Sequence, residues 1–353
     1  QSDSMQQAMI DAGVEEADLE AFIPFAVNYM LLVAGEVPEV PAGLSKETFS
    51  ELLAGRHSAT PADLAGEKLN LVKFLRRSNL PDNLTLLPVL LGSADANTAV
   101  REEAEDALKR QLEVSYEDRK LVTTLCQTYL LGLGTPNRGP LSPSARMVLL
   151  AALGKVSLIS IQPDTLRIMF DALFGEHRNR RLQLQGMAFC THLLQRSRSR
   201  GEEDRLLQVC QVLLTSFLRV AKGVLPDDND AQSAESEAPL ADSDDLIAYA
   251  YTVFGHIAKY CPLLIRDEPA VILTCLSAVR VAPQRFRLSV LENLSGIARA
   301  YRFPPSHLGE ILLQRIRDDM SAQESGVRLA CVQVASAVFP FSDAPATFAL
   351  LLG

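Results

Sequence analysis

An arginine at the start of an apolar segment recurs five times in this chain, and this pattern limits the folds that the chain can adopt. The residues three and seven positions after each arginine are apolar in all five cases. Such spacing places them on one face of an α-helix, so each segment predicts a helix that packs against a core along that face. The five arginines are Arg101, Arg146, Arg181, Arg287 and Arg328.

The intervals between these arginines indicate a structural repeat. Successive intervals are 45, 35, 106 and 41 residues. The long interval includes an acidic stretch of about 20 residues, and the remainder equals about two periods of 43, so we expect one degenerate repeat inside it. A period near 40 that holds two helices is typical of HEAT and armadillo repeats. We therefore predict an all-α fold, an α-solenoid of HEAT/armadillo-like helical repeats.

Apolar positions with helical spacing extend over most of the chain, separated by short breaks rich in Pro, Gly or Asn. The composition agrees with packed helices, because 48% of the residues are apolar, only 6% are aromatic and tryptophan is absent. Ser142 and Asp164 are predicted caps at helix starts, and Gly132, Gly175 and Gly223 are predicted stops. Predicted helices cover residues 97–111, 116–131, 142–159, 163–174, 179–196, 202–221, 245–260, 268–281, 286–301, 306–320 and 327–339.

The predicted organisation divides the chain into four parts. Residues 1–60 form an irregular N-terminal helical segment and linker, and residues 61–224 form HEAT-like repeats. Residues 225–245 hold eight acidic residues and no basic one, so we expect a disordered acidic loop there. HEAT-like repeats resume over residues 246–353. Because the chain starts with Gln1 and stops within an apolar helical pattern, we expect a piece of a longer polypeptide whose repeats continue.

The repeated arginine has two interpretations. A charged head can stay at the turn between helices while its aliphatic stem packs, so the arginines would form a ladder that links successive turns. The alternative is a role in binding a ligand. We favour the structural role, because the apolar residues that follow each arginine belong to the predicted stack.

The sequence offers no constellation for catalysis or for a metal. The five histidines occur singly and never at a ligand spacing, and there is no GxSxG nucleophile motif. Residues 132–139 (GLGTPNRG) loosely resemble a phosphate loop, but they follow a predicted helix and lack its lysine, so we interpret them as a helix end and loop. We expect a protein that is not an enzyme and has no cofactor.

Two basic clusters at the ends of one predicted helix are the candidate contacts for a partner. They are solvated loops in the simpler interpretation; in the alternative they contact an acidic partner or the acidic loop of this chain. Neither is interleaved with aromatic residues, and without the acidic loop the net charge of -9 becomes about -1, so nucleic-acid binding is not expected. The clusters comprise His177, Arg178, Arg180 and Arg181, and Arg196, Arg198 and Arg200.

The cysteines and the hydropathy pattern limit the compartment. The six cysteines form no CxxC pair and mostly lie among apolar helix residues, which favours reduced core thiols in a cytosolic or nuclear protein. No apolar run approaches the ~18 to 20 residues that a membrane span needs, and the N-terminus lacks a signal core. We expect a soluble protein without membrane insertion.

Six segments, in a fixed order and spacing, carry a resemblance to a known family. Residues 62–353 resemble the N-terminal part of the large HEAT-repeat proteasome adaptor and scaffold family. The resemblance implies a non-enzymatic protein of the cytoplasm and nucleus that joins the regulatory and core particles of the 26S proteasome and takes part in its quality control. Residues 1–60 and 225–245 depart from the family pattern. The matching segments are residues 68–110, 140–156, 172–190, 251–267, 286–302 and 327–340.

A nuclear transport receptor of the HEAT/armadillo type, or another protein-binding solenoid, is the alternative function, because those receptors are also HEAT or armadillo solenoids. Armadillo cargo grooves commonly use ladders of Trp and Asn, and this chain has no Trp. We therefore favour the proteasome scaffold over the transport receptor.

Overall fold

The computed structural model describes residues 23, 26–32, 60–77, 82–111, 119–131, 141–156, 159–175, 179–223 and 244–339. These residues form helices and connecting turns and contain no β-strand, so the all-α prediction is confirmed. After a short helical segment at residues 26–31, the helices are α1 (Pro61–Arg77), α2 (Asp82–Gly92), α3 (Thr98–Gln111), α4 (Arg119–Leu131), α5 (Pro143–Leu153), α6 (Pro163–Phe174), α7 (Arg180–Ser199), α8 (Glu203–Lys222), α9 (Asp244–Tyr260), α10 (Pro262–Arg266), α11 (Ala270–Val281), α12 (Gln284–Ala300), α13 (Ser306–Met320) and α14 (Ser325–Val338).

Most helices begin and end within three residues of the predicted positions. The Ser142 hydroxyl accepts a hydrogen bond from the backbone N–H of Ala145 and caps α5, as predicted. For α6 the predicted cap is wrong by two residues. Gln162 occupies the cap position and its N–H donates to the Thr165 hydroxyl, whereas Asp164 lies inside the first turn.

Three features of the helix pattern differ from the prediction. α5 ends at Leu153 rather than near residue 159, and the N–H of Gly154 closes its last turn on the Leu150 carbonyl. α1 and α2 were not among the predicted helices, and α2 contains Pro88 in its interior. α10 is only five residues long, which is too short to show a helical period in the sequence.

The chain divides into two compact units, Gln1–Phe189 and Cys190–Gly353. In the first unit, α1, α2 and α3 contact one another, α2 also contacts α5, and α4 contacts α5 and α6. Val72, Leu125 and Leu149 are fully buried between these helices. Gly186 lets α7 approach α6 closely, because a Cβ atom at this position would lie 2.8 Å from the Cβ of Ala172.

In the second unit the helices form two layers. α9, α12 and α14 lie side by side in one layer, while α8 contacts α11 in the other. Each layer packs on the other through the pairs α8 with α9, α11 with α12, and α13 with α14. Phe254, Cys275, Leu294 and Val334 are fully buried between the layers. At about 25 cal/mol per Å² of apolar surface, burying one such side chain stabilises the fold by about 1.5 to 3 kcal/mol.

α8 and α9 form a helix pair inside the long interval, where one degenerate repeat was expected. Phe286, Val290 and Leu294 of α12 correspond to residues of α9 that lie 40 positions earlier, and both sets are buried. The same shift places Ile247 where α12 has Arg287. The arginine pattern therefore misses this repeat, because Ile247 replaces the arginine. The buried apolar positions of α12 are buried in α9 as well.

Several predicted parts lie almost wholly outside the described residues. These are the N-terminal segment over residues 1–60, the acidic loop over 225–245, the loop at 132–139 and the two cluster members His177 and Arg178. They stay predictions, as do the boundaries between the four parts.

Candidate protein-interaction surfaces

Three of the five repeated arginines bind the backbone of the loop that precedes their own helix. Arg101 donates from Nη1 to the Asp95 carbonyl at 3.3 Å, and Arg328 donates from Nη1 to the Ala322 carbonyl at 2.6 Å. Arg287 donates from Nε to the Ala282 carbonyl at 2.7 Å. A charged donor to a carbonyl at the chain's own turn is a charge-assisted hydrogen bond, so these arginines hold the turns between paired helices.

Arg287 also reaches the next repeat. Its Nη1 donates to the carboxylate of Glu324, the residue that precedes the first turn of α14. The pair joins the start of α12 to the start of α14 within one layer. Glu324 is more than half exposed, so the ion pair contributes little to the free energy of folding. Its main effect is to align the start of α14 with the start of α12.

Arg146 has a different environment from the other repeated arginines, because it is buried. Its Nη1 lies 3.0 Å from a carboxylate oxygen of Asp171, and its guanidinium lies 5.7 Å from the centre of the Tyr129 ring. The Tyr129 hydroxyl donates to the same carboxylate oxygen at 2.7 Å. Burial, followed by this hydrogen bond to Asp171, raises the pKa of Tyr129 far above its ordinary value. The three side chains connect α4, α5 and α6.

Arg181 and the described members of the basic clusters lie at the protein surface. Arg181 and Arg196 are exposed at the two ends of α7. Arg198 forms an exposed ion pair with Glu203 at 3.1 Å, so part of its charge is neutralised within the chain. The structure thus places the described cluster residues where a partner could contact them, and their role in binding stays a prediction.

One groove was not predicted from the sequence. It lies between α9 and α12 in the second unit and has a volume of about 450 Å³. Small residues and a few charged side chains line it. The lining residues are Gly255, Ala258, Lys259, Pro262, Glu292, Asn293, Gly296, Arg299 and Ala300.

The cysteines are unpaired, and five of the six are buried in helices. Burial raises the pKa of Cys190 and of Cys275 to about 12, so these thiols stay protonated. Cys261 differs because it is only partly buried. A hydrogen bond from the Cys210 thiol, helped by the charge of Arg198, lowers the pKa of Cys261 below the ordinary value of 9.0.

Neither a metal-binding cluster nor a membrane-spanning helix is found in the described part of the chain. No group of three or more His, Cys, Asp or Glu side chains there is arranged to hold a metal ion. Among the same residues, no helix has the length and hydropathy required to cross a membrane.

Paired helices that share a core in each unit, with arginines that bind the intervening turns, define a helical-repeat protein. The chain belongs to the family described as proteasome component ECM29, N-terminal, whose model matches residues 1–353. The resemblance to a proteasome adaptor and scaffold family is therefore confirmed.

One curated relative in this family is the human protein named proteasome adapter and scaffold protein ECM29. The two sequences are 21% identical over 329 residues. The match covers 90% of this chain and 17% of the relative, so the chain spans about a sixth of the length of that protein. No solved structure matches the chain.

Proposed function

We propose that this chain is a non-enzymatic segment of an adaptor and scaffold that binds the 26S proteasome and stabilises or checks the association of its regulatory and core particles. The observation that carries the proposal is the match of the proteasome-component family over the whole chain. The name of the human relative, which describes a proteasome adapter and scaffold, agrees with it.

The packing within the chain supports a role in binding proteins. Each unit is held together by helices that contact near neighbours in the sequence, an arrangement that in repeat proteins provides extended surfaces for partners. The large apolar side chains of Leu288, Leu329 and Val332 are among those left 43 to 61% exposed on α12 and α14. Their positions on two neighbouring helices of one layer suit an interaction surface.

Cytoplasm and nucleus are the compartments that we propose for this function. Proteasome regulatory and core particle subunits are the proposed partners. The exposed arginines Arg196, Arg198 and Arg200, together with Arg180 and Arg181, are proposed contacts for acidic surfaces on those subunits.

The proposal is tested with the full-length protein that contains this segment, tagged and expressed in cells. Capture on the tag should recover subunits of both proteasome particles, and a variant lacking residues 1–353 should recover fewer of them. Recovery of no proteasome subunit by a folded full-length protein contradicts the proposal. Binding of GTP-loaded Ran instead would favour the transport-receptor alternative.

A further inference from the structure

The groove between α9 and α12 is built by two glycines with different surroundings. A Cβ atom on Gly255 would lie 2.4 Å from Oδ1 of Asn293, so this glycine lets α12 approach α9 closely. A Cβ atom on Gly296 would meet nothing within 4 Å, so the space above it is open. The groove therefore has a narrow floor and an open mouth, which suits a segment of polypeptide better than a compact cofactor.

Two cations stand at the mouth of the groove, in the same register of the repeat. Lys259 follows Phe254 by five positions, as Arg299 follows Leu294, and both side chains are exposed. The Lys259 ammonium lies 5.6 Å from the centre of the Tyr260 ring. This cation–π contact orients the ammonium group without neutralising its charge. Within the described part of the chain, neither cation has a carboxylate partner within 4 Å. Glu292, about two helical turns before Arg299, is the one acidic lining residue.

Two large apolar side chains follow the cations in the sequence, again in the same register. Leu263 follows Lys259 by four positions and is 67% exposed, and Phe303 follows Arg299 by four positions and is 58% exposed. Phe303 adopts a left-handed backbone conformation with φ of 57°, which is rare for a bulky residue and costs on the order of 1 to 3 kcal/mol. Its N–H donates to the Val338 carbonyl at 3.3 Å, so the fold holds the strained turn in place.

We propose that this groove is a docking site for an extended, acidic peptide segment that also carries large apolar side chains. The carboxylates of the segment pair with Lys259 and Arg299, and its apolar side chains cover Leu263 and Phe303. Adjacent packed helices lie about 8 to 10 Å apart, and alternate residues of an extended chain lie about 6.6 Å apart on one side. Two carboxylates at alternate positions can therefore reach both long cationic side chains.

The charges in the groove determine which segments fit. The two cations outnumber the single carboxylate of Glu292, which lies about two helical turns from Arg299, so an acidic segment is attracted near the cations. A basic segment is repelled by both cations and is excluded. This inference goes beyond the proposed scaffold function, because the isolated chain can bind such a segment without any proteasome subunit.

The test is a fluorescence anisotropy titration of the purified chain with a labelled seven-residue probe, Leu-Ser-Glu-Ser-Glu-Ser-Phe. We expect saturable binding that weakens with added salt. A probe with lysine in place of both glutamates should not bind, and a probe with alanine in place of Leu and Phe should bind at least about tenfold more weakly, the effect of roughly 1.4 kcal/mol.

Substitutions in the chain localise the binding. The double variant Lys259→Glu and Arg299→Glu should lose binding, and Gly296→Leu should lose it by filling the groove. Glu292→Gln should bind more tightly. Arg317→Glu is the matched control, since it reverses an exposed arginine on α13 in the other layer, and it should bind as the parent does. Thermal melts of every variant check that the fold is kept.

Three outcomes would overturn the inference. The first is no saturable binding of the acidic probe. The second is unchanged affinity in the double charge reversal or in Gly296→Leu. The third is a second copy of the chain as the occupant, seen in sedimentation as a dimer that the same substitutions dissociate. None of these outcomes affects the capture of proteasome subunits by the full-length protein. The docking proposal and the scaffold proposal can therefore fail separately.

Discussion

Arg146 and Arg181 occupy the same position in the repeat, yet one is buried against Asp171 and the other is exposed. α6 supplies a carboxylate to Arg146, and a buried guanidinium needs such a partner because desolvating an unpaired charge costs several kcal/mol. At the residue scale, one sequence position therefore has two energetic roles.

Asp171→Ala should lower the free energy of unfolding by about 3 kcal/mol, because it leaves Arg146 buried without a carboxylate and removes the acceptor of the Tyr129 hydroxyl. Urea denaturation followed by circular dichroism measures the loss. The matched control is Arg181→Ala, which should change stability by less than about 0.5 kcal/mol. Similar small changes in both variants would show that the buried pair adds no stability.

Cys261 should be the thiol that iodoacetamide modifies first, because the thiolate is the reactive form and the pKa of Cys261 is lowered while it is partly exposed. The rate should rise with pH and reach half its maximum below pH 9.0, the ordinary thiol value. Mass spectrometry of briefly labelled native protein identifies the site.

Cys190 and Cys275 are the internal controls for this labelling, since burial raises their pKa to about 12. Arg198→Ala should move the midpoint for Cys261 upward, because it removes a cation that favours the thiolate. Earlier modification of a buried cysteine than of Cys261 would contradict the described environment.

At the scale of the helix, α12 has a fully buried face and an exposed face, and leucines stand on both. Leu294 is fully buried between the layers, whereas Leu288 is 61% exposed. The two residues are six positions apart in the sequence, and the helical period of about 3.6 residues therefore places them on different sides of the helix. The same substitution at the two sites therefore separates packing from helix propensity.

Leu294→Ala should cost about 2 to 5 kcal/mol of unfolding free energy, because it removes buried apolar surface and leaves a cavity. Leu288→Ala should cost less than about 0.5 kcal/mol. Chemical denaturation of both variants measures the difference. Equal losses would mean that α12 is not packed between its neighbours as described.

Most helices from α3 onward could be predicted from the sequence, because each carries a local signal of its own. Apolar spacing and a cap such as Ser142 define a start without reference to the rest of the chain. α10 and the early end of α5 could not be predicted in this way. The first is shorter than two helical turns, and the second lies at Gly154, a stop that the apolar residues on both sides of it hid.

At the scale of the whole molecule, the acidic stretch can be removed as a test of the repeat organisation. Deleting residues 227–241 should change the melting temperature by less than about 2 °C, because this stretch is poor in large apolar side chains and has little surface to bury. Scanning calorimetry of the deleted and parent chains measures the shift. A fall of many degrees would show that the stretch packs on the repeats.

The candidate groove was missed because its residues come from two helices 40 positions apart. The sequence does contain the signal, since Lys259 with Leu263 and Arg299 with Phe303 share one spacing and one register. Which helices become neighbours, however, depends on long-range packing. The five arginines were found because they open helices, but their partners, such as Asp171 for Arg146, also depend on that packing.

The helix contacts within each unit have a consequence for biosynthesis. All the contacting pairs described above join helices no more than three positions apart in the chain order. Such pairs lie at most tens of residues apart, so bringing them together closes loops much shorter than the chain, which favours rapid folding. Each pair can thus form soon after it leaves the ribosome, while the remaining codons are still being translated.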